Sequence, residues 1–172
     1  MTLRTSEIIL PAYWKGYNFK GRYRVYKGSR ASGKSSDVSL EYIIKIVKHK
    51  NTNLLVVRMV DKDHRKSTYP QLLWAINRLG LKKYFRSTKS PLEIEYIPTG
   101  QKILFAGLND PSSLTSIKAT VGEICWVWFE EAYQIQNEDD FDRVDESIRG
   151  AMPEGVFPQI TLPLIRIGQI IG

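Results

Sequence analysis

The run Gly28-Ser29-Arg30-Ala31-Ser32-Gly33-Lys34-Ser35 constrains this chain more than any other stretch. It matches the pattern G-x-x-x-x-G-K-[ST] at every fixed position. The glycines let backbone N–H groups turn toward one point without side-chain clash, and a helix opening near Lys34 adds its positive end. Such a loop, Gly28 to Ser36, holds a nucleotide's phosphates. Lys34 is placed to reach the β- and γ-phosphates, and the Ser35 hydroxyl to ligand Mg2+. The flanks agree. "YRVY" (23–26) reads as a strand running into the loop, and Val38, Tyr42, Ile43 and Ile46 recur at helical spacing after it. A mere Gly/Ser surface turn needs neither.

Further along, strands and helices alternate. "NLLVVRM" (53–59) is a continuous apolar run, the mark of a strand buried on both faces. Residues 64–81 read as a helix with Leu72, Leu73, Ile76 and Leu79 on one face. Residues 92–98 and 101–108 flank Thr99–Gly100 and predict a hairpin; 109–122 read as loop, with room for a helical turn. A strand over 123–132, a helix over 140–152 and a final strand beginning at 156 complete the pattern. This predicts an α/β fold with a mostly parallel sheet flanked by helices.

"WVWFEEA" supplies the second half of the chemistry. Trp126 to Phe129 form an apolar strand, and Glu130 and Glu131 follow at its C-terminal end, where ligands bind in open α/β sheets. Beside a phosphate loop, Glu130 is expected to hold Mg2+ through water and Glu131 to polarise an attacking water. An acid pair here favours ATP hydrolysis over phosphoryl transfer to a small molecule. Arg30 either reaches across to the γ-phosphate as an arginine finger in cis or faces solvent.

Composition excludes little but points somewhere. A net charge of +7 over 172 residues favours a polyanionic partner such as nucleic acid. Lys62, Arg65, Lys66, Lys82 and Lys83 are candidates for DNA phosphate contact, or an ordinary solvated face. The single cysteine, Cys125, reads as a small buried hydrophobe and rules out an internal disulfide. His49 and His64 sit among basic residues without metal-ligand spacing and read as solvated. The apolar run near the N-terminus (8–11) is too short for a signal peptide or a membrane span, so a cytoplasmic protein is expected. "PAYWKGY" (11–17) is either core packing or a segment that stacks on a base.

Taken together, "GSRASGKS", "WVWFEEA" and the intervening "KILFAGLNDPSSLTSIKA" resemble the large subunit of tailed-phage terminases over roughly residues 8–162. That resemblance implies a RecA-like ATPase domain of the additional-strand, catalytic-glutamate class, driving double-stranded DNA into a procapsid in the host cytoplasm. It also implies a portal protein and a small terminase subunit as partners, and a ring of subunits on the portal. Glu130 stands where the family more often has aspartate.

The tail departs further. After "PQITL" the family usually continues with "T-F-N-P", a coupling motif, and then a nuclease domain. Here the chain reads "PLIRIGQIIG". Back-translated with a one-base shift, that tail can spell T-F-N-P-N-W-S-D-N, so residues 163–172 are expected to be a frameshift product and nuclease activity absent. Pro163 is also expected to break the last strand. Two other readings stay open: a helicase-like or kinase-like protein with the same loop, and a fragment that binds nucleotide or DNA without turnover.

Overall fold

Two short helices, α1 (Thr5–Ile8) and α2 (Trp14–Tyr17), open the chain; β1 (Tyr23–Gly28) then leads through the glycine loop into α3 (Lys34–Lys48). The computed structural model describes residues 4–29, 31–110, 114, 117–135, 137–148 and 150–165. β2 (Thr52–Arg58), a 3-10 turn (Asp61–Lys66) and α4 (Thr68–Arg78) follow. Next come β3 (Phe85–Lys89), β4 (Leu92–Tyr96) and β5 (Gln101–Gly107). β6 (Glu123–Phe129), α5 (Glu138–Glu146) and β7 (Gln159–Ile165) complete it.

The strands form one sheet in the order β1-β7-β6-β2-β5-β4-β3. The first five are parallel, and β4 and β3 turn back antiparallel at one edge. β7, last in the chain, inserts between the loop strand β1 and the acid strand β6. Parallel neighbours lie about 4.8 Å apart, so β7 sets the ends of β1 and β6 roughly 10 Å apart. That gap is where the site opens.

The continuous apolar run of β2 is buried at all seven positions, as a central parallel strand requires. Its side chains alternate. Leu54 and Val56 join Val38, Tyr42, Ile43 and Ile46 of α3 and Leu72 and Ile76 of α4 on one face. Leu55 and Val57 join Val127, Phe129 and Val144 of α5 on the other. Asn137 caps α5, its side chain accepting from the Asp140 N–H at 2.9 Å. Among the described residues no helix is long and apolar enough to cross a membrane.

Several expectations need correction. The helix read over 64–81 begins only at Thr68, because a 3-10 turn precedes it. β3 was not anticipated, since "FRSTK" is polar at all but Phe85; an antiparallel edge strand needs no continuous apolar run. His64 is fully buried, its two ring nitrogens 2.7 Å from Thr68 Oγ1 and 2.9 Å from the Ala106 carbonyl. Burial lowers its pKa. His49 is half-buried, its ring edge-on to Trp126.

Pro163 does not break β7. Residues 163–165 continue the strand in register with Tyr26, Lys27 and Gly28. The Ile160 N–H donates to Arg22 of the β1 side, so by alternation residue 163 presents its backbone to the β6 side. The β6–β7 pairing ends at Thr161, and the missing N–H of Pro163 costs no ladder bond. Residues 166–172 lie outside the described residues.

Candidate functional site

β1, β7 and β6 end together at the C-terminal edge of the sheet, and α3 starts there. Gly33, at φ +82°, turns the loop into α3 in the left-handed conformation that glycine adopts freely. Among the described residues no side chain caps that helix end, and its first turn, Lys34 to Ser36, lines the cleft. The cleft, about 330 Å³, is lined by loop residues 29 and 31–36, by Glu130, Glu131 and Tyr133, and by Pro163.

Lys34 is buried, and its ammonium donates to the carbonyls of Gly28 (2.9 Å) and Ser29 (2.7 Å) and to Ser32 Oγ (2.9 Å). Ser35 Oγ reaches across from α3 and donates to Glu130 Oε1 at 2.8 Å. Trp128, two positions before it on β6, donates its indole N–H to Glu130 Oε2 at 2.8 Å. Burial pushes the Glu130 carboxyl above its ordinary range, while these two hydrogen bonds pull it back. Glu130 and Ser35 thus present hard oxygens to one point, which suits Mg2+; that ion takes one or two protein oxygens and keeps waters and phosphate as its other ligands. No group of three or more His, Cys, Asp or Glu side chains fit to hold a metal occurs among the described residues.

Glu131 sits at φ 57°, ψ 41°, an uncommon backbone state for a residue with a Cβ. Its carboxylate is ion-paired with Arg58 at the end of β2, and Gln134 Nε2 donates to it at 3.3 Å. Arg58 also donates to Ser67 Oγ. Arg58 was missed in the sequence. The available signal was a lone charge ending the apolar run of β2 at the edge where β6 ends in its acids.

The structure therefore brings together Gly28, Ser29, Ala31, Ser32, Gly33, Lys34, Ser35, Ser36, Glu130 and Glu131. Arg30 lies outside the described residues. The basic candidates divide. Lys62, Arg65 and Lys66 are exposed on the turn after β2, at the site's edge of the sheet; Lys82 and Lys83 are exposed ahead of β3, at the opposite edge. They make no single patch. Tyr13 of the "PAYWKGY" segment is buried against Tyr26, whereas Trp14 is exposed and stacked on Tyr17.

Residues 20–163 match the family model for the phage terminase large subunit. The terminase large subunit of Bacillus phage SPP1 is 33% identical over 132 residues, 76% of this chain and 31% of that protein. The PBSX phage terminase large subunit of Bacillus subtilis (strain 168) is 33% identical over 122 residues, 71% of this chain and 27% of that protein. The chain spans less than a third of either relative. The large terminase of a thermophilic bacteriophage has the same fold, with a TM-score of 0.63 at 13% identity over 87% of this chain and 36% of that one. That terminase is also known in complex with ADP and with ATP-γ-S.

Proposed function

Because this chain belongs to the phage terminase large subunit family, we propose that it is the ATP-hydrolysing part of a motor that packages double-stranded DNA. The observation that carries this reading is the convergence of Lys34, Ser35, Glu130 and Glu131 on one cleft at the carboxyl edge of a parallel sheet. The nucleotide complexes of the thermophilic phage terminase support it.

Lys34 exchanges its loop acceptors for β- and γ-phosphate oxygens, and the first-turn N–H groups of α3 complete the cradle. Ser35 and Glu130 would hold Mg2+, which when bound neutralises charge developing on the phosphates. Glu131, held at the cleft by Arg58, orients the attacking water and accepts its proton. Arg30 serves as the cis arginine. Double-stranded DNA is the polymer moved, a portal protein and a small terminase subunit are the partners, and a ring of copies is the working form. In this reading residues 163–172 are a shifted frame, which sequencing of the source gene checks.

ATP hydrolysis with and without double-stranded DNA tests the proposal, beside Lys34→Ala and Glu131→Ala. DNA-stimulated turnover that both substitutions abolish is the expected result, with ATP binding lost only in Lys34→Ala. Lys34-dependent binding without any wild-type turnover would instead favour the fragment that holds nucleotide but does no work.

A further inference from the structure

The N-terminal segment lies against the outside of the phosphate loop. The Leu10 N–H donates to Asp37 Oδ1 at 2.8 Å, in the first turn of α3. A Cβ built on Gly33 would lie 3.1 Å from Leu10 Cδ1, so the Leu10 side chain covers that glycine. Three residues on, the Tyr13 hydroxyl donates to the Ser32 carbonyl at 2.7 Å and stands 3.2 Å from Ser32 Oγ. Its ring is buried edge-on against Tyr26, centroids 5.2 Å apart, which fixes where the hydroxyl points. Tyr13 does not line the cleft. Whatever it does for a ligand, it does through the loop.

The peptide bond makes that connection rigid. In a planar trans peptide the C=O of one residue and the N–H of the next point in opposite directions. A bond that draws the Ser32 carbonyl outward to Tyr13 therefore turns the Gly33 N–H inward, toward the cleft. Gly33 carries no Cβ and sits at positive φ, so its own sterics restrain that peptide weakly. An outside hydrogen bond has correspondingly more influence. The same Ser32 also offers its Oγ to Lys34, so the residue that Tyr13 holds is one that Lys34 uses.

We infer that Tyr13 is a positioning residue for phosphate binding: its hydroxyl holds the Ser32–Gly33 peptide with the Gly33 N–H toward the cleft. It thereby sets affinity for nucleoside di- and triphosphates rather than the rate of hydrolysis. This rests on the reading of the cleft as a nucleotide site. Tyr26 provides the matching control, because its hydroxyl is also buried at this boundary yet has no hydrogen-bond partner among the described residues.

The test compares Tyr13→Phe, Tyr26→Phe and Lys34→Ala in the full chain, by titration with ADP and ATP, steady-state hydrolysis and thermal melting. Tyr13→Phe keeps the ring and removes only the bond, so ADP and ATP should each bind about tenfold more weakly, the effect of one such hydrogen bond. KM should rise in step, with kcat held within about twofold. Tyr26→Phe should bind as the wild type and melt no lower than it, because its hydroxyl gives up no hydrogen bond. Wild-type affinity in Tyr13→Phe, an equal loss in Tyr26→Phe, or a fall in kcat at constant KM would each overturn the role. Lys34-dependent binding in the wild type with Tyr13→Phe unaffected rejects the positioning role alone; no Lys34-dependent binding at all rejects the nucleotide site with it.

Discussion

Arg58 and Glu131 close an ion pair across neighbouring strands, the guanidinium at the end of β2 meeting the carboxylate that leaves β6. Glu131 is thereby aimed by a charge rather than by packing, on a backbone turn that residues with a Cβ adopt at a cost of about 1 kcal/mol or more. The Arg58 fork also holds Ser67, the residue preceding α4.

Removing that fork should disorder the carboxylate without touching the phosphate loop. Arg58→Ala is expected to lower kcat by about tenfold or more while leaving KM for ATP nearly unchanged. Arg58→Lys keeps the charge but not the two-pronged geometry, and should recover little of the rate. A rise in KM at constant kcat, read from steady-state kinetics, would contradict this.

Glu130 and Ser35 should account for metal dependence. Glu130→Gln removes the charge and keeps the shape, so Mg2+ should no longer tighten ATP binding, and turnover should be lost. Because burial raises the Glu130 pKa, the wild-type metal-dependent rate should increase as pH rises through that elevated value. Titration of ATP with and without Mg2+ at several pH values checks both statements.

Asp37 gives stability a pH dependence of its own. Burial pushes its carboxyl up to about 6 from 3.8, opposed by the hydrogen bond from the Leu10 N–H; nearby Glu41 raises it and Arg24 lowers it. Since the folded state binds the proton more tightly, this stabilisation is present below pH 3.8 and lost as pH rises through about 6. Asp37→Asn keeps an acceptor for Leu10 and should flatten the melting temperature across that window. A wild-type-like profile in thermal melts would reject the assignment.

A buried charge network ties α3 to the sheet. Arg24 of β1 donates to Glu41 Oε1 (2.8 Å) and Thr161 Oγ1 (2.8 Å), and Lys45 donates to the same Glu41 oxygen at 2.6 Å. Glu41 is fully buried. Arg24→Ala should therefore destabilise the fold by about 3 kcal/mol, because it strips one partner from a carboxylate that water cannot reach. Denaturant unfolding measures this, and a loss under about 1 kcal/mol would show that Lys45 alone suffices.

The loop, the acid strand and the alternation of strands and helices were legible from local pattern, since each is encoded within a short window. The buried charges were not. Arg24 sits in "YRVY" and Lys45 near the end of an amphipathic helix, where spacing predicts solvent and a dipole partner respectively; only their common neighbour Glu41 explains both. His64 was misread for the same reason, because its partners Thr68 and Ala106 come from the following helix and a distant strand. Pro163 was misjudged because its cost depends on which side of β7 has a neighbour at that height, a property of the sheet and not of the strand.

By itself, the amino-acid sequence determined the chemistry available: a glycine-framed loop ahead of a helix, a lysine and a serine in its first turn, and two acids at the end of an apolar strand. Glycine freedom, helix polarity and alternation of side chains act over a few residues, so they can be read from a few residues. Tertiary structure alone decided how those groups face one another. Inserting β7 between β1 and β6 spaces the loop from the acids, lets Ser35 meet Glu130, and leaves Arg58 to hold Glu131. The reason is that hydrogen bonds and ion pairs act across a few ångströms of space, whatever the separation along the chain.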